Sequence, residues 1–322
     1  MSFKIAANIT FLTLEDVNLV ETPIFTITNE QLKKAKIIDR DFKKIAGIRS
    51  SSSFDQSTLA YWIEEDNKDS AMFMDEMNKK FLEITPQIST FIQFLWFIKD
   101  NSISVEQAYG IFTVSGRFTW WSDHNIFSTC TGEFKEIAFN ANELFMASKL
   151  LVLYVKNCIS NAVENNTSKI SNSKTPGLIG FKSGIDPFIQ QNRIERALTF
   201  LSSARSSPHL PQKIAHYMSI LECLLSGDSS EVVHKVSERT AYYLGDSQKS
   251  RIEIYKKVKE AYAIRSKFVH GDKIKKSYEF ILDLSKEIDN YIRQVLHKII
   301  TTDYSIFLDD KKVEEFQNQM IF

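Results

Sequence analysis

Between residues 189 and 302, apolar side chains recur at steps of three and four residues, the spacing of one face of an α-helix. The pattern predicts helices at about 189–206, 210–226, 229–244, 248–270 and 274–302. The connections between them are short, which favours antiparallel neighbours. This part of the chain is therefore predicted to form an all-α, up-and-down helical bundle.

The first 140 residues mix strand and helix signals. Residues 3–28 alternate in polarity and are predicted to form two strands and a turn. Residues 71–99 predict one or two helices, broken near Pro86. Residues 109–139 are rich in Thr, Phe, Trp and Ile and predict a three-strand meander, and residues 141–163 predict a helix. We therefore expect an α+β fold here.

The stretch that separates these two patterns is rich in Asn, Ser, Lys, Gly and Pro, which is typical of a linker. A chain of 322 residues has room for about two domains. We predict a mixed α+β domain at 1–165, a linker at 166–185 and a helical bundle at 186–322.

Composition limits the classes of protein that this chain can belong to. Forty Lys and Arg balance forty Asp and Glu, so any binding of nucleic acid needs a local basic patch. Three cysteines without a C-x-x-C pair argue against a disulfide framework or a cysteine zinc site, and fit a reducing cytosol. Apolar runs are too short to span a bilayer, and the first residues lack a cleavage-site pattern. We expect a cytoplasmic protein without a membrane partner.

Three charged residues interrupt the apolar faces of the predicted helices. Glu222 lies on the second of these helices, Arg239 on the third and Arg265 on the fourth. A charge on a core face is costly unless it is paired or belongs to a site. Two interpretations follow: ion pairs of Glu222 with Arg239 or Arg265 that fix the register of the bundle, or a functional site.

His270 and Gly271 follow Arg265 at the predicted end of the fourth helix. Glycine commonly occupies the first position after a helix, so His270 is expected at the helix end, where the backbone can turn it toward Arg265. On an ideal helix, two residues five positions apart differ in direction by about 140°. The alternative is that His270 only complements the negative end of the helix dipole.

Three segments of the helical half together resemble the HEPN superfamily, in particular its Apea-like group. They are ALTFLSSARSS at 197–207, SILECLLSGDSSEVVHKVSERTAYYLG at 219–245 and AYAIRSKFVHGD at 261–272. Arg265 and His270 match the Arg, four to six residues, His signature of that family, and Glu222 and Arg239 occur at family-like spacing. The resemblance covers about residues 190–300. HEPN toxins paired with nucleotidyltransferase antitoxins carry Tyr two residues after the His, where this chain has Asp272.

The resemblance implies a metal-independent endoribonuclease that needs no cofactor and acts as a homodimer. Arg265 and His270 are then the catalytic residues, supported by Glu222 and Arg239. The residue types suit the chemistry, because an imidazole titrates near neutral pH and a guanidinium offers permanent charge to phosphate oxygens. The expected setting is antiphage defence, abortive infection or a toxin, with tRNA or mRNA as target. The alternative is a non-catalytic HEPN module that binds RNA or protein and dimerises.

The strongest basic stretch of the chain surrounds these residues. Residues 249–276 contain ten Lys and Arg and three acidic residues, a formal charge of +7. Lys259, Lys267 and Lys273 are therefore candidates for contacts to the RNA backbone. A solvated lysine face on an amphipathic helix is the alternative. The N-terminal domain is expected to sense a trigger, such as a phage component or a partner protein.

Overall fold

The computed structural model describes residues 2–65, 71–112, 116–122, 125–159, 191–227 and 231–320. These residues divide into two compact units. The first contains residues 2–127 and 134–151, and the second contains residues 128–133, 152–159 and 191–320. The predicted linker at 166–185 lies outside the described residues.

The first unit is built on β-strands. Their bounds are β1 Ser2–Thr10, β2 Leu12–Leu14, β3 Leu19–Glu21, β4 Thr26–Thr28, β5 Thr58–Glu65, β6 Ser104–Phe112, β7 Phe118–Ser122 and β8 Ile137–Phe139. In the described part of the chain, six of them form an antiparallel sheet in the order β3-β4-β5-β1-β6-β7. Strands β2 and β8 form a separate parallel pair.

Helices cover both faces of the six-stranded sheet. Their bounds are α1 Gln31–Ile37, α2 Arg40–Gln56, α3 Ala71–Leu95 and α4 Ala141–Tyr154. Ile5 and Ile9 of β1 point into a core shared with α3, whereas Ala6 packs into a second core with α1 and α2. This alternation along β1 places one residue set on each face. Gly47, with φ of +78°, breaks the helical geometry inside α2.

Three expectations for this unit are wrong. Residues 3–28 form four short strands, with Pro23 in the turn between β3 and β4, and not two. The third strand predicted at 109–139 does not continue the meander, because β8 pairs with β2. Helix α3 runs through Pro86 without a break. Tertiary burial of the α3 face that contains Phe81 and Ile88 offsets the backbone hydrogen bond that proline removes.

The second unit is helical. The described helices of this unit are α5 Arg193–Ser206, α6 Leu210–Leu225, α7 Val232–Leu244, α8 Gln248–His270, α9 Tyr278–Lys298, α10 Tyr304–Phe307 and α11 Asp310–Gln319. Five-residue π-helical segments occur at Val155–Ile159 and Ile299–Asp303. The bounds of α5 to α9 follow the predicted helices closely, so an N-terminal sheet region followed by a C-terminal helical region is confirmed.

Side-chain caps explain why these helix ends follow from local sequence. Asn192 and Glu195 form a reciprocal capping box at the start of α5, and Ser247 and Ser277 cap α8 and α9. At α7, Glu231 precedes the helix with a positive φ and makes no side-chain cap bond.

Helix α6 lies at the centre of the second unit and packs against α5, α7, α8 and α9. It buries polar groups together with apolar ones. Lys213 donates to the Ala204 carbonyl (2.7 Å), and the Tyr217 hydroxyl donates to Asp289 on α9 (2.7 Å). Asp289 also pairs with Arg293 at 2.5 Å. Buried polar groups are retained because each is hydrogen-bonded.

Close packing of α3 on the sheet makes a stability prediction at Gly110 of β6. A Cβ atom there would lie 2.7 Å from Phe3, 2.8 Å from Phe81 and 2.8 Å from the Thr119 methyl group. Gly110→Ala should therefore lower the free energy of unfolding by about 1–3 kcal/mol, measured by urea denaturation. Without this crowding, alanine in place of a strand glycine would stabilise the fold.

The Thr119→Ser background is the control, because it removes one of the three crowding atoms. The cost of Gly110→Ala should be smaller in that background than in the wild type. An unchanged or increased stability of Gly110→Ala would contradict the packing described for β6 and α3.

Candidate functional site

The C-terminal end of α8 has the geometry that the sequence predicts. Gly271 has φ of +75°, and its N–H donates to the Phe268 carbonyl (3.3 Å). The Asp272 N–H donates to the Lys267 carbonyl (2.8 Å). These two bonds form a Schellman motif. The motif favours glycine at position 271, because the residue there has a left-handed backbone conformation. His270 is therefore the last residue of α8, and its side chain is exposed.

Arg265 lies one and a half turns before the end of α8 and forms an ion pair with Glu222 of α6. Its Nη2 atom is 3.7 Å from Glu222 Oε1, and the two side chains are 33% and 26% exposed. At this exposure the pair is partly screened by water and contributes about 1 kcal/mol or less. Of the two partners that the sequence left open for Glu222, the structure selects Arg265.

Tyr262 extends this pair into the core. It precedes Arg265 by almost one turn of α8, and its hydroxyl is buried. Burial raises the pKa of Tyr262, the charge of Glu222 raises it further, and Arg265 opposes the shift. The phenol therefore stays protonated at neutral pH.

Arg239 does not join this pair, so the alternative ion pair of Glu222 with Arg239 is wrong. Its side chain is 3% exposed, and Nη1 donates to the Leu225 carbonyl (2.7 Å) and to Gln317 Oε1 (3.1 Å). Gln317 in turn donates to the Leu224 carbonyl (3.3 Å). Arg239 thus satisfies the orphan carbonyls at the C-terminal end of α6 and links them to α11.

A cavity of about 710 Å³ lies on the other side of Glu222. Arg193 and Arg196 of α5 and Cys223 of α6 line it. Arg193 donates to Asp310 (2.7 Å) and to the Cys223 carbonyl (3.0 Å). Sequence analysis missed these arginines, which lie in the first turn of α5 as the structure has it but farther inside the helix predicted at 189–206.

Of the lysines predicted to contact RNA, Lys267 and Lys273 flank the end of α8, whereas Lys259 lies about three turns earlier on the same helix. Lys259 and Lys273 are exposed, and Lys267 is half-buried. None of the three forms an ion pair with the residues that the structure describes. Phe268 and Tyr278 lie in the same stretch and are 43% and 62% exposed. The end of α8 therefore combines unpaired positive charge with exposed aromatic rings.

The structure thus brings together only part of the predicted site. Arg265 and Glu222 are in contact, whereas no hydrogen bond between described residues joins Arg265 to His270. On one helix their directions differ by about 140°, and they are separated by about 7.5 Å along the axis. One chain therefore presents the guanidinium and the imidazole in different directions.

No family model, curated protein or solved structure matches this chain. The resemblance to HEPN proteins therefore remains an expectation from the sequence segments alone. Across the described residues, every helix is too short or too polar to cross a bilayer.

The contacts of Arg239 predict which residues are energetically coupled. Gln317→Ala should destabilise the chain by about 1–3 kcal/mol, because it leaves buried hydrogen-bonding groups of Arg239 and Leu224 without this partner. A double-mutant cycle of Arg239→Ala and Gln317→Ala, followed by thermal or urea unfolding, should give a coupling energy of about 0.5–3 kcal/mol.

The matched control is the cycle of Arg239→Ala with Glu222→Ala. Its two effects should add, since Glu222 pairs with Arg265. A strong coupling between Arg239 and Glu222, with none between Arg239 and Gln317, would contradict the assignment of partners.

Proposed function

We propose that the helical unit is a metal-independent endoribonuclease of the HEPN type that cleaves tRNA or other cellular RNA in the cytoplasm. The observation that carries the proposal is the end of α8, where Arg265 is held by Glu222 and His270 is exposed beside unpaired lysines. Antiphage defence or growth arrest is the setting that the family resemblance suggests.

The proposed chemistry assigns one role to each side chain. His270 takes the proton of a ribose 2′-hydroxyl or gives a proton to the departing 5′-oxygen, because histidine is the side chain that most often serves as a general acid or base. Arg265 donates hydrogen bonds to the non-bridging phosphate oxygens, whose charge grows in the transition state. The products are a 2′,3′-cyclic phosphate and a 5′-hydroxyl. Glu222 positions the Arg265 side chain through the 3.7 Å contact.

The different directions of Arg265 and His270 on one helix support a site shared by two chains. Cleavage needs a base on one side of the phosphate and an acid on the other. Residues 249–276 of each chain contain a single histidine, His270, so one chain supplies only one of these two groups there. A two-fold axis supplies a second copy of every group. The exposed apolar side chains of Phe268, Val269 and Tyr278 offer surface that such a dimer can bury to offset the repulsion of two basic stretches.

The surface around His270 suits a nucleic acid. Lys259, Lys267 and Lys273 are available to phosphates, because none is engaged by an acidic side chain of the described residues. Phe268 and Tyr278 offer rings on which unpaired bases can stack. In this proposal the N-terminal unit restrains or directs cleavage in response to a phage component or a partner protein.

A second candidate is a non-catalytic module that binds RNA or protein. The ion pair of Arg265 with Glu222 favours it, because that contact gives Arg265 a structural role without any catalysis. The exposed apolar side chains near His270 also fit a pure contact surface. The two candidates differ in one measurable respect, which is whether purified protein cleaves RNA.

We expect His270→Ala to lower the rate of RNA cleavage by about 10²–10⁴-fold, because it removes the general acid/base. Arg265→Ala should lower the rate by about 10²–10³-fold through the lost stabilisation of phosphate charge. Incubation of each variant with total tRNA and mRNA in the presence of EDTA, followed by mapping of the cut ends, measures both effects.

His297→Ala is the matched control, since His297 is also exposed and lies near the C-terminal end of a helix, α9. It should cleave as fast as the wild type, and all variants should keep the wild-type melting temperature within a few degrees. Cleavage that needs added Mg²⁺, or a His270→Ala variant as active as the wild type, would exclude the mechanism. RNA binding without any cleavage would favour the second candidate.

The shared site predicts dominant inactivation. Light scattering should give the mass of a homodimer. Mixing wild-type chains with excess His270→Ala should then lower the activity per wild-type chain, because the shared site of a mixed dimer contains only one His270 imidazole. His297→Ala added in the same excess should have no effect. A monomer that keeps full activity on dilution would contradict the shared site but leave the assigned residues standing.

A further inference from the structure

A second cavity, of about 1000 Å³, lies in the first unit and has no role in the proposed cleavage. Its walls come from the turn between β1 and β2, the start of α1, the second half of α2 and the segment before β8. The volume is that of pockets that hold small molecules.

Unused hydrogen-bonding groups line this cavity. The side chains of Gln31, Arg49, Ser52 and Gln56 make no hydrogen bond or ion pair with the part of the chain that the structure describes. The Oδ1 atom of Asn29 is buried there without a hydrogen-bond partner. The Asn29 oxygen is not reached by solvent, so the four exposed side chains are the groups that a polar ligand in the cavity can contact.

The wall has two basic side chains, Lys34 and Arg49, and one acidic side chain, Glu136. Lys34 is buried at 3% exposure, and its ammonium group donates to the carbonyls of Asp55 and Ser57, which fixes it in place. Burial lowers the pKa of Lys34, and the negative charge of Asp55 opposes the shift. Arg49 is exposed, and its guanidinium makes no hydrogen bond or ion pair with the described residues. The lining therefore favours an anion with hydroxyl groups.

We propose that this cavity binds the phosphate monoester of a small polyhydroxylated molecule, such as a mononucleotide or a sugar phosphate. Arg49 binds the phosphate, because its planar donors match two phosphate oxygens at once. The amides of Gln31 and Gln56 and the hydroxyl of Ser52 bind ligand hydroxyls, and the Glu136 carboxylate accepts from one of them. The proposal does not depend on RNA cleavage by the second unit.

Calorimetric titration of the full chain tests the ligand class with four probes: AMP, glucose 6-phosphate, adenosine and inorganic phosphate. At least one of the two phosphomonoesters should bind with a dissociation constant below about 1 mM. It should also bind at least tenfold more tightly than inorganic phosphate, and AMP more tightly than adenosine. The phosphomonoester that binds identifies the source of the phosphate group.

Arg49→Gln should weaken that binding by about ten- to a hundred-fold, the effect of losing a charged hydrogen-bonding partner. Arg40→Gln is the matched control, because Arg40 is an exposed arginine of the same helix that does not line the cavity. It should leave the affinity unchanged. Ser52→Trp, at an exposed position of the wall, should block binding while the melting temperature stays the same.

Three results would overturn the assignment. One is the absence of binding by either phosphomonoester up to about 1 mM. Another is a phosphomonoester that binds no more tightly than inorganic phosphate or, for AMP, than adenosine. The last is an equal loss of affinity in Arg49→Gln and Arg40→Gln, which would indicate general charge attraction and not this cavity.

Discussion

Helix α6 packs against four other helices, so the charged and polar side chains that it buries need partners inside the second unit. Lys213 donates a hydrogen bond to a carbonyl at the C-terminal end of α5, and the Tyr217 hydroxyl donates one to Asp289 of α9. Glu222, one turn farther on, finds Arg265 of α8. These contacts connect neighbouring helices to α6, and the last of them holds the Arg265 side chain.

Glu222 lies between Arg265 and a cavity lined by arginines. On one side it holds Arg265, the residue assigned to the phosphate, and on the other it lines the cavity that contains Arg193 and Arg196. Burial and the same carboxylate keep Tyr262 protonated beside the pair. The ion pair is therefore part of a packed polar group and not an isolated surface contact, which explains why it can orient Arg265 even though the pair itself contributes little free energy.

The accuracy of the sequence-based predictions follows the range of the interactions involved. The helices of the second unit were predicted closely, because periodicity, the Ser247 and Ser277 caps and Gly271 act over one or two turns. In the first unit, β8 pairs with β2 across more than a hundred residues, and no local pattern contains that information. The uninterrupted helix at Pro86 has the same cause, since burial against the sheet outweighs a local breaker signal.

For the candidate site, the sequence by itself determined that α8 ends at His270, because only glycine adopts the left-handed backbone of Gly271 without cost. It also determined that Glu222, Arg239 and Arg265 interrupt apolar faces. The partners of these charges were decided by the tertiary structure. From the sequence, Arg265 and Arg239 were equally good partners for Glu222. In the structure Arg265 pairs with Glu222, and Arg239 donates hydrogen bonds to Gln317 and to a carbonyl at the end of α6. The choice depends on the angle and height at which the helices pack, and these are fixed only when the whole core is buried.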